Sequence, residues 1–347
     1  MRRRARGGVS PRRRGAVAAL AAALALLVGC QAAPERAMHP GSPRPTPTAA
    51  APMAPGDGAP PWSDDAFLAP SGSSARAALA ADPGPEEERA ATYLADRPTA
   101  SWLTPEAAPP GSVAGAVAAL VDEAADEGAA LALVVYGIPD RDCGGHSAGG
   151  LDAAAYRAWV AEIAGALDPR RTPTVAILEP DSLGLARECA HLGERQADLA
   201  AAASLLADAG AWVYLDGGHS GWLPPEEMAA LLAGVDAPGA IRGFATNVAN
   251  HRATADEVAY AHAVSALTGG LHAVIDTSRN GGETSATAWC NTPGRLVGED
   301  PATLADAVVD GNLWIKPPGE SDGQCAGGPP AGAWWPQAAI ALTRGAS

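Results

Sequence analysis

Four aspartates of this 347-residue sequence stand in short polar segments, each directly after or near an apolar run. They are Asp142, Asp181, Asp216 and Asp322. Crowded carboxyl groups raise each other's pKa, so one keeps its proton near neutral pH while another stays ionised. Such a pair can cleave a glycosidic bond, because the acid protonates the leaving oxygen while the carboxylate assists water. Any one of these aspartates could simply close a turn or cap a helix, so the prediction of glycoside hydrolysis depends on all four being present together.

Tryptophans in the same segments favour a sugar ligand, because an indole ring packs well against the apolar face of a pyranose. Those that stand beside glycine and polar residues, in loops or at strand ends, are Trp102, Trp222 and Trp289. His219, in GGHSGW, is predicted either to line the same site or to support it from behind through a hydrogen bond.

Other chemistries fit the sequence less well. The seven histidines are scattered, with no Cys/His cluster of metal-ligand spacing, and we expect neither a metal nor a cofactor. No Gly-x-Ser-x-Gly segment indicates a serine hydrolase, and no glycine-rich loop after the first predicted strand indicates a dinucleotide. Apart from Cys30, the cysteines are even in number, which favours structural disulfides with three possible pairings. These cysteines are Cys143, Cys189, Cys290 and Cys325.

Short apolar runs alternate with helical patterns, which predicts parallel strands in either a barrel or a doubly wound sheet. The predicted strands are Ala100–Leu103, Leu131–Tyr136, Thr174–Leu178, Trp212–Leu215, Gly243–Asn247, Ala273–Ile275 and Asn312–Ile315. The predicted helices are Val113–Glu127, Asp152–Ala166, Glu194–Ala209, Pro225–Leu232, Ala255–Leu267 and Pro301–Val309. In a parallel barrel the carboxyl ends of the strands share one face, so the polar segments that follow them should meet there.

The N-terminus resembles a bacterial lipoprotein signal. Residues 1–29 carry seven arginines within the first fourteen positions, then the apolar run Ala16–Val28, and the segment closes as Leu27-Val28-Gly29-Cys30. The resemblance implies that Cys30 is acylated and becomes the first mature residue; an ordinary cleaved signal is the alternative. Residues 30–85 are rich in proline and alanine and lack periodicity, which predicts a solvated tether before a domain at 86–347. We therefore expect an exported protein, anchored at the cell surface or secreted if the tether is cut.

The charge and the hydropathy of the sequence exclude some classes of binding partner. The formal net charge is −15, and it becomes more negative once the arginine-rich signal is removed. Such an acidic body repels phosphate backbones, so nucleic-acid binding is not expected. No later apolar stretch approaches the ~20 residues of a spanning helix, so we expect membrane contact only through a lipid on Cys30. We expect a monomer.

Taken together, seven segments resemble glycoside hydrolase family 6, the inverting cellulases with a distorted, seven-stranded parallel β/α barrel. In family order they are VVYGIPDRDCGGHSAGG (134–150), LEPDSL (178–183), YLDGGHSGW (214–222), GFATNVAN (243–250), IDTSRNG (275–281), WCNTPGR (289–295) and LWIKPPGESDG (313–323). The resemblance runs from about Tyr93 to Ala341 and so covers the whole predicted domain.

The resemblance implies roles for individual residues. Asp181 matches the general acid, Asp142 the aspartate that raises the pKa of that acid and organises water, and Asp322 the candidate base. The implied substrate-binding residues are Trp102, Tyr136, Asp216, His219, Trp222, Asn247, Arg279, Trp289, Lys316 and Glu320. The implied disulfides are Cys143–Cys189 and Cys290–Cys325, and inversion implies carboxyl groups roughly 6.5–9.5 Å apart.

Two features of the loops affect the expected hydrolysis: the residues beside the attacking water and the length of the loops over the cleft. Members often carry a serine in the loop after DRDC that helps to hold the attacking water, and here Ala148 follows Ser147 at that place. Two long loops convert the cleft into a tunnel in exo-acting members, but only seven residues separate Gly281 from Trp289, and the stretch after Asp322 is also short. We therefore expect an open groove and an endo-1,4-β-glucanase. The alternatives are a cellobiohydrolase of the same family and a surface lipoprotein that binds β-glucan without cutting it.

Overall fold

The computed structural model describes residues 62, 67–189, 191–282 and 289–346. The predicted signal, Cys30 and most of the predicted tether lie outside these residues, so those predictions remain untested. Within the described part of the chain, no helix is both long and apolar enough to cross a membrane.

Seven parallel strands form the central sheet, as predicted. They are β1 (Ser101–Leu103), β2 (Leu131–Val135), β3 (Thr174–Leu178), β4 (Trp212–Asp216), β5 (Ile241–Thr246), β6 (His272–Asp276) and β10 (Val309–Leu313). They pair in this order, and a two-residue strand, β9 (Ala302–Thr303), runs antiparallel to β10 at the edge. Two further short strands, β7 (Gly281–Gly282) and β8 (Arg295–Leu296), form a separate antiparallel pair.

The sheet curls until its first and last parallel strands, β1 and β10, come close together. These two strands do not pair with each other, so the barrel is distorted. Ala100 donates its N–H to the carbonyl of Trp314 at 2.9 Å, and the indole Nε1 of Trp102 donates to the carbonyl of Ile315 at 2.7 Å. Among the described residues, these contacts tie the first strand to the segment after β10. The predicted distorted parallel β/α barrel is therefore confirmed.

Helices connect the strands and cover the outside of the sheet. They are α1 (Ser74–Ala80), α2 (Pro85–Ala95), α3 (Val113–Glu127), α4 (Ala153–Ala166), α5 (Leu192–Asp208), α6 (Pro225–Ala233), α7 (Thr254–Leu267) and α8 (Pro336–Leu342). The core has two layers, since every residue of β2 and β3 is buried, as expected for parallel strands covered on both faces. Val134, Ile177 and Tyr214 belong to the inner cluster, while Leu133 and Trp159 belong to the layer between sheet and helices.

One predicted helix is wrong. The segment Pro301–Val309 forms β9 and the start of β10 instead of a helix. Asp306 accepts the N–H groups of Val308 and Val309 at 2.8 Å, and this local turn competes with helical hydrogen bonding. Val309 then enters the sheet as the first residue of β10, where a β-branched side chain packs well.

The folded domain starts earlier than Glu86. Phe67 pairs with Ala130 in a parallel bridge, and Leu68 donates its N–H to the carbonyl of Ala130 at 2.9 Å. Helix α1 follows, with the Ser73 hydroxyl accepting the N–H of Arg76 at its N-terminus. The end of the predicted tether therefore belongs to the barrel. The sequence pattern did not indicate this, because the apolar residues and the helix cap stand in a segment rich in proline and glycine.

Candidate active site

A cleft of about 830 Å³ lies at the carboxyl ends of the barrel strands. Ten of the predicted site residues line it: Trp102, Tyr136, Asp142, Asp181, His219, Trp222, Trp289, Lys316, Glu320 and Asp322. They come from strand ends and loops that are separated by up to 220 residues in the chain. The parallel sheet brings them together because each loop leaves a strand at the same face.

Asp181 is the group best suited to donate a proton. It follows β3 in a left-handed backbone conformation, with φ 65°, and its N–H donates to Oδ2 of Asp216 at 2.9 Å. Burial and the negative charges of Asp142 and Asp322 raise the pKa of Asp181 to about 7. A carboxylic acid that holds its proton near neutral pH can act as a general acid.

Asp142 lies in a tight turn after β2. Its Oδ2 accepts the N–H of Ser147 at 2.6 Å, so the loop wraps around the carboxylate. The neighbouring guanidinium of Arg141 fastens this loop: Nη1 donates to the carbonyl of Tyr136 and Nε to that of Ser147, both at 2.8 Å. Arg141 also forms a two-point ion pair with Glu106 at 3.1 Å. These contacts hold a negative charge where it raises the pKa of Asp181.

Asp322 is kept ionised by its partners. Nη1 of Arg279 lies 2.9 and 3.1 Å from its two oxygens, and the N–H of Asn291 donates to Oδ2 at 2.8 Å. Burial acts to raise the pKa of Asp322, but the charges of Arg279 and Lys316 outweigh it, and the pKa is lowered. The cleft therefore combines a protonated acid with an ionised carboxylate, the division of roles that acid–base hydrolysis requires.

Both predicted disulfides are confirmed. Cys143–Cys189, with Cα atoms 5.7 Å apart, joins the Asp142 loop to the segment after β3. Cys290–Cys325, with Cα atoms 6.2 Å apart, joins the Trp289 segment to the loop of Asp322. Each bridge thus connects two loops that line the cleft.

Aromatic rings and polar groups alternate along the cleft. The ring of Trp102 meets that of Tyr136 edge to face at 5.3 Å between centroids. The sequence's one lysine, Lys316, places Nζ 5.4 Å from the centre of the Trp102 ring and 3.3 Å from Oε2 of Glu320. An apolar ring face beside charged hydrogen-bonding groups suits a sugar, which has both kinds of surface.

Two further tryptophans are paired with histidines. Trp222 lies 5.9 Å from the ring of His219, and Trp289, which is 50% exposed, lies 5.9 Å from the ring of His146. Burial and the nearby charge of Arg252 lower the pKa of His219 to about 4. His219 is therefore neutral near pH 7, and its Nδ1 accepts the N–H of Gly221 at 3.1 Å.

Three predicted substrate-binding residues stand behind the cleft wall rather than in it. Asp216 is buried and accepts the N–H groups of Asp181 and Gly218 at 2.9 and 3.2 Å. Asn247 is buried, with its amide bonded to main-chain groups of residues 252 and 276. Arg279 holds Asp322. Polar atoms of all three side chains bond to other residues of the site, and their contact with sugar stays a prediction.

Glu179 is a site residue that sequence reasoning missed. It is fully buried between β2 and β3, and it accepts the N–H groups of Gly137 and Ile138 at 3.0 to 3.1 Å. Burial raises its pKa to about 7. Its two main-chain contacts lie at the start of the loop that leads to Asp142. An acid placed directly after a buried strand, in LEPD, was the available signal.

Asp276, which sequence reasoning also missed, joins the ends of several strands. It is the buried last residue of β6 and accepts main-chain N–H groups from loops after β5, β6 and β10. The donors are Ala249, Ser278, Ile315 and Lys316, at 3.0 to 3.2 Å. One carboxylate thus sets the relative positions of three loops.

Some predictions about the loops lie outside the described residues. Of the short loop after Gly281, residues 283–288 are not described. Ser147 and Ala148 both line the cleft, so a methyl group stands beside the serine hydroxyl in the Asp142 loop.

Across the described ranges, no group of three or more His, Cys, Asp or Glu residues is arranged to hold a metal ion.

The raised pKa of Asp181 predicts a pH-dependent stability. Its pKa is about 7 in the folded protein against an ordinary value of 3.8, so folding favours the protonated form. The contribution of protonated Asp181 to the free energy of unfolding is fully present below about pH 4, and it is lost as the pH rises through about 7. We expect Asp181→Asn, which stays neutral, to melt at a temperature that rises relative to wild type between pH 4 and 8. Thermal unfolding at both pH values tests this, and a constant difference would contradict it.

A parallel β/α barrel whose cleft holds an acid of raised pKa, an ionised carboxylate and tryptophan rings is typical of the glycoside hydrolases. The chain belongs to glycosyl hydrolases family 6, whose family model matches residues 63–346.

Known proteins of this family resemble the chain closely. Endoglucanase A of Cellulomonas fimi is 42% identical over 251 residues, which cover 70% of this chain and 55% of the relative. Endoglucanase 1 of Streptomyces sp. (strain KSM-9) is 44% identical over 278 residues, 76% of this chain and 75% of the relative. The endoglucanase Cel6 from Mycobacterium tuberculosis, solved with a methyl-cellobiosyl-thio-cellobioside, is 41% identical with a TM-score of 0.75, and covers 81% of this chain and 97% of its own. The chain spans about half the length of the Endoglucanase A relatives that it matches.

Proposed function

We propose that this protein hydrolyses internal β-1,4-glucosidic bonds of cellulose or a related β-glucan by an inverting, single-displacement mechanism. The observation that carries the proposal is the raised pKa of Asp181 in a cleft that also holds an ion-paired Asp322 and several tryptophans. Endo-acting hydrolysis is supported by the relatives, which are named endoglucanases at 41–44% identity.

In this mechanism Asp181 gives its proton to the oxygen that leaves, so that the departing sugar carries no charge. A water molecule attacks the sugar from the opposite face, and a carboxylate receives its proton. Asp322 is the candidate for that base because its neighbours keep it ionised. Asp142 keeps the proton on Asp181 until the leaving oxygen takes it. Trp102 and Tyr136 position the sugar ring beside these groups.

We also propose that the protein is exported and works as a monomer, held at the cell surface through a lipid on Cys30 unless the tether is cut. Two disulfides between cleft loops support an oxidising compartment. Labelling with a radioactive or clickable fatty acid would test the anchor, with Cys30→Ser as the variant expected to lose the label.

The activity is tested by following viscosity and reducing ends together on a soluble cellulose derivative, with mixed-linkage glucan and xylan for comparison. Internal cleavage predicts a rapid fall in viscosity with few new reducing ends. Reducing ends that accumulate while viscosity persists would instead indicate a cellobiohydrolase. Binding of β-glucan without hydrolysis between pH 4 and 8 would indicate a non-catalytic binding protein. NMR of the first product should show the α-anomer, and a β-anomer would contradict inversion.

A further inference from the structure

His251 lies between two main-chain carbonyl groups at the wall of the cleft. Its Nδ1 is 3.1 Å from the carbonyl oxygen of Arg279, and its Nε2 is 3.1 Å from that of Trp289. The side chain follows β5 and is 4% exposed. The proton-transfer steps described above do not use it.

The two carbonyl groups belong to the two supports of Asp322. Arg279 holds the carboxylate through its guanidinium, which also donates from Nη2 to the carbonyl of Ala249 at 2.6 Å. Trp289 precedes Cys290 and Asn291, and the N–H of Asn291 donates to the same carboxylate. The imidazole therefore connects the arginine of one loop with the tryptophan segment of another.

One neutral imidazole cannot satisfy both carbonyls, because it carries a single N–H. The charged groups around it act in opposite directions: Arg279 and Arg295 disfavour a second proton, while Asp322 favours it. Burial and the charge of Arg279 lower the pKa of His251 to about 4. Near neutral pH the ring thus donates to one carbonyl at a time, and exchange between its two tautomers lets it hold either loop in turn.

We propose that His251 is a positioning residue that sets the Trp289 ring and the Arg279–Asp322 ion pair through these two carbonyl groups. The proposal rests on the hydrolytic function above. It assigns to His251 an effect on sugar binding, through the tryptophan, and an effect on ionisation of the candidate base, through the arginine.

The test compares His251→Phe, which keeps a ring but removes the N–H donor, with His251→Gln, which keeps an N–H donor on a flexible side chain. For His251→Phe we expect a KM for cello-oligosaccharides about 2- to 12-fold higher, the fold-change of one hydrogen bond of about 0.5–1.5 kcal/mol. We also expect the acidic limb of the kcat/KM profile to move to higher pH, because a displaced Arg279 lowers the pKa of Asp322 less. His251→Gln should restore part of both values. His262→Gln is the matched control, since His262 pairs with Asp306 on the exposed side of α7.

A double-mutant cycle with Trp289→Ala separates this role from a general loss of structure. If His251 acts on KM through Trp289, His251→Phe should change KM little once the indole is removed. Equal effects of His251→Phe in both backgrounds, or an acidic limb that does not move in His251→Phe and His251→Gln, would overturn the proposal. Calorimetric titration of the wild type with cellotetraose accompanies the kinetics. A wild type that binds but never hydrolyses would reject the proposed activity, while an active wild type with unchanged variants would reject the role of His251.

Discussion

Asp181→Ala is expected to lower kcat on soluble cellulose by about 10²–10⁴-fold, the usual contribution of a general acid. The substitution removes the carboxyl group whose pKa lies near 7. The oxygen of the departing sugar then has no proton donor, and an ordinary sugar is a poor leaving group without that proton. Oligosaccharide binding should persist, because the tryptophan rings and Lys316 remain in place. Kinetics on the polymer and calorimetry with cellotetraose measure the two effects separately.

An activated substrate provides a sharp control for the acid. An aryl cellobioside with a strongly acidic phenol needs no proton to leave, so Asp181→Ala should retain most of its activity on that compound. The basic limb of the pH profile should then disappear, because no acid titrates there. Asp236→Ala, at an exposed position, should behave as wild type. Equal loss on both substrates would show that Asp181 is not the proton donor.

Arg279→Met is expected to destabilise the folded protein by about 3–5 kcal/mol, because it leaves the buried carboxylate of Asp322 without its partner. The side chains of this pair are only 4% and 5% exposed. The pKa of Asp322 should rise as well, so the acidic limb of the pH profile should shift upward. Urea unfolding at pH 7 measures the stability change, and kcat/KM profiles of the remaining folded protein measure the shift.

A surface ion pair supplies the comparison for this result. Arg76 and Asp96 lie 3.9 Å apart with side chains 40% and 66% exposed, so Arg76→Met should cost about 0–1 kcal/mol. A similarly small loss in Arg279→Met would mean that Asp322 becomes neutral or hydrated without its partner. Asp322 would then be a poor candidate for an ionised base.

Much of the fold was predictable because its determinants are local. Six apolar runs, such as Thr174–Leu178, match strands within about two residues at each end, since fully buried parallel strands are continuous apolar segments. Helix Val113–Glu127 was predicted with its observed bounds. The failure at Pro301–Val309 has a local cause that composition does not reveal: Asp306 caps a turn, and the following residues find a strand partner.

The candidate site divides in a similar way. Residues that face the cleft, such as Asp181 and Lys316, are predictable because motifs place them shortly after predicted strands. The motifs also predict sugar contact for Asp216 and Arg279, whose observed hydrogen bonds are to other residues of the site. Their direction depends on which loop lies opposite, and no spacing in the sequence contains that information.

The sequence by itself determined the order of the seven parallel strands, the cysteines available for pairing, and the carboxyl groups gathered at one face. These follow from residue type and short-range periodicity. Only the tertiary structure decided which carboxyl keeps its proton, because pKa depends on burial and on charges brought from distant loops. It also decided that Asp276 joins three loops and that His251 lies between two carbonyls. Those contacts link residues far apart in the chain, so they exist only once the barrel has closed.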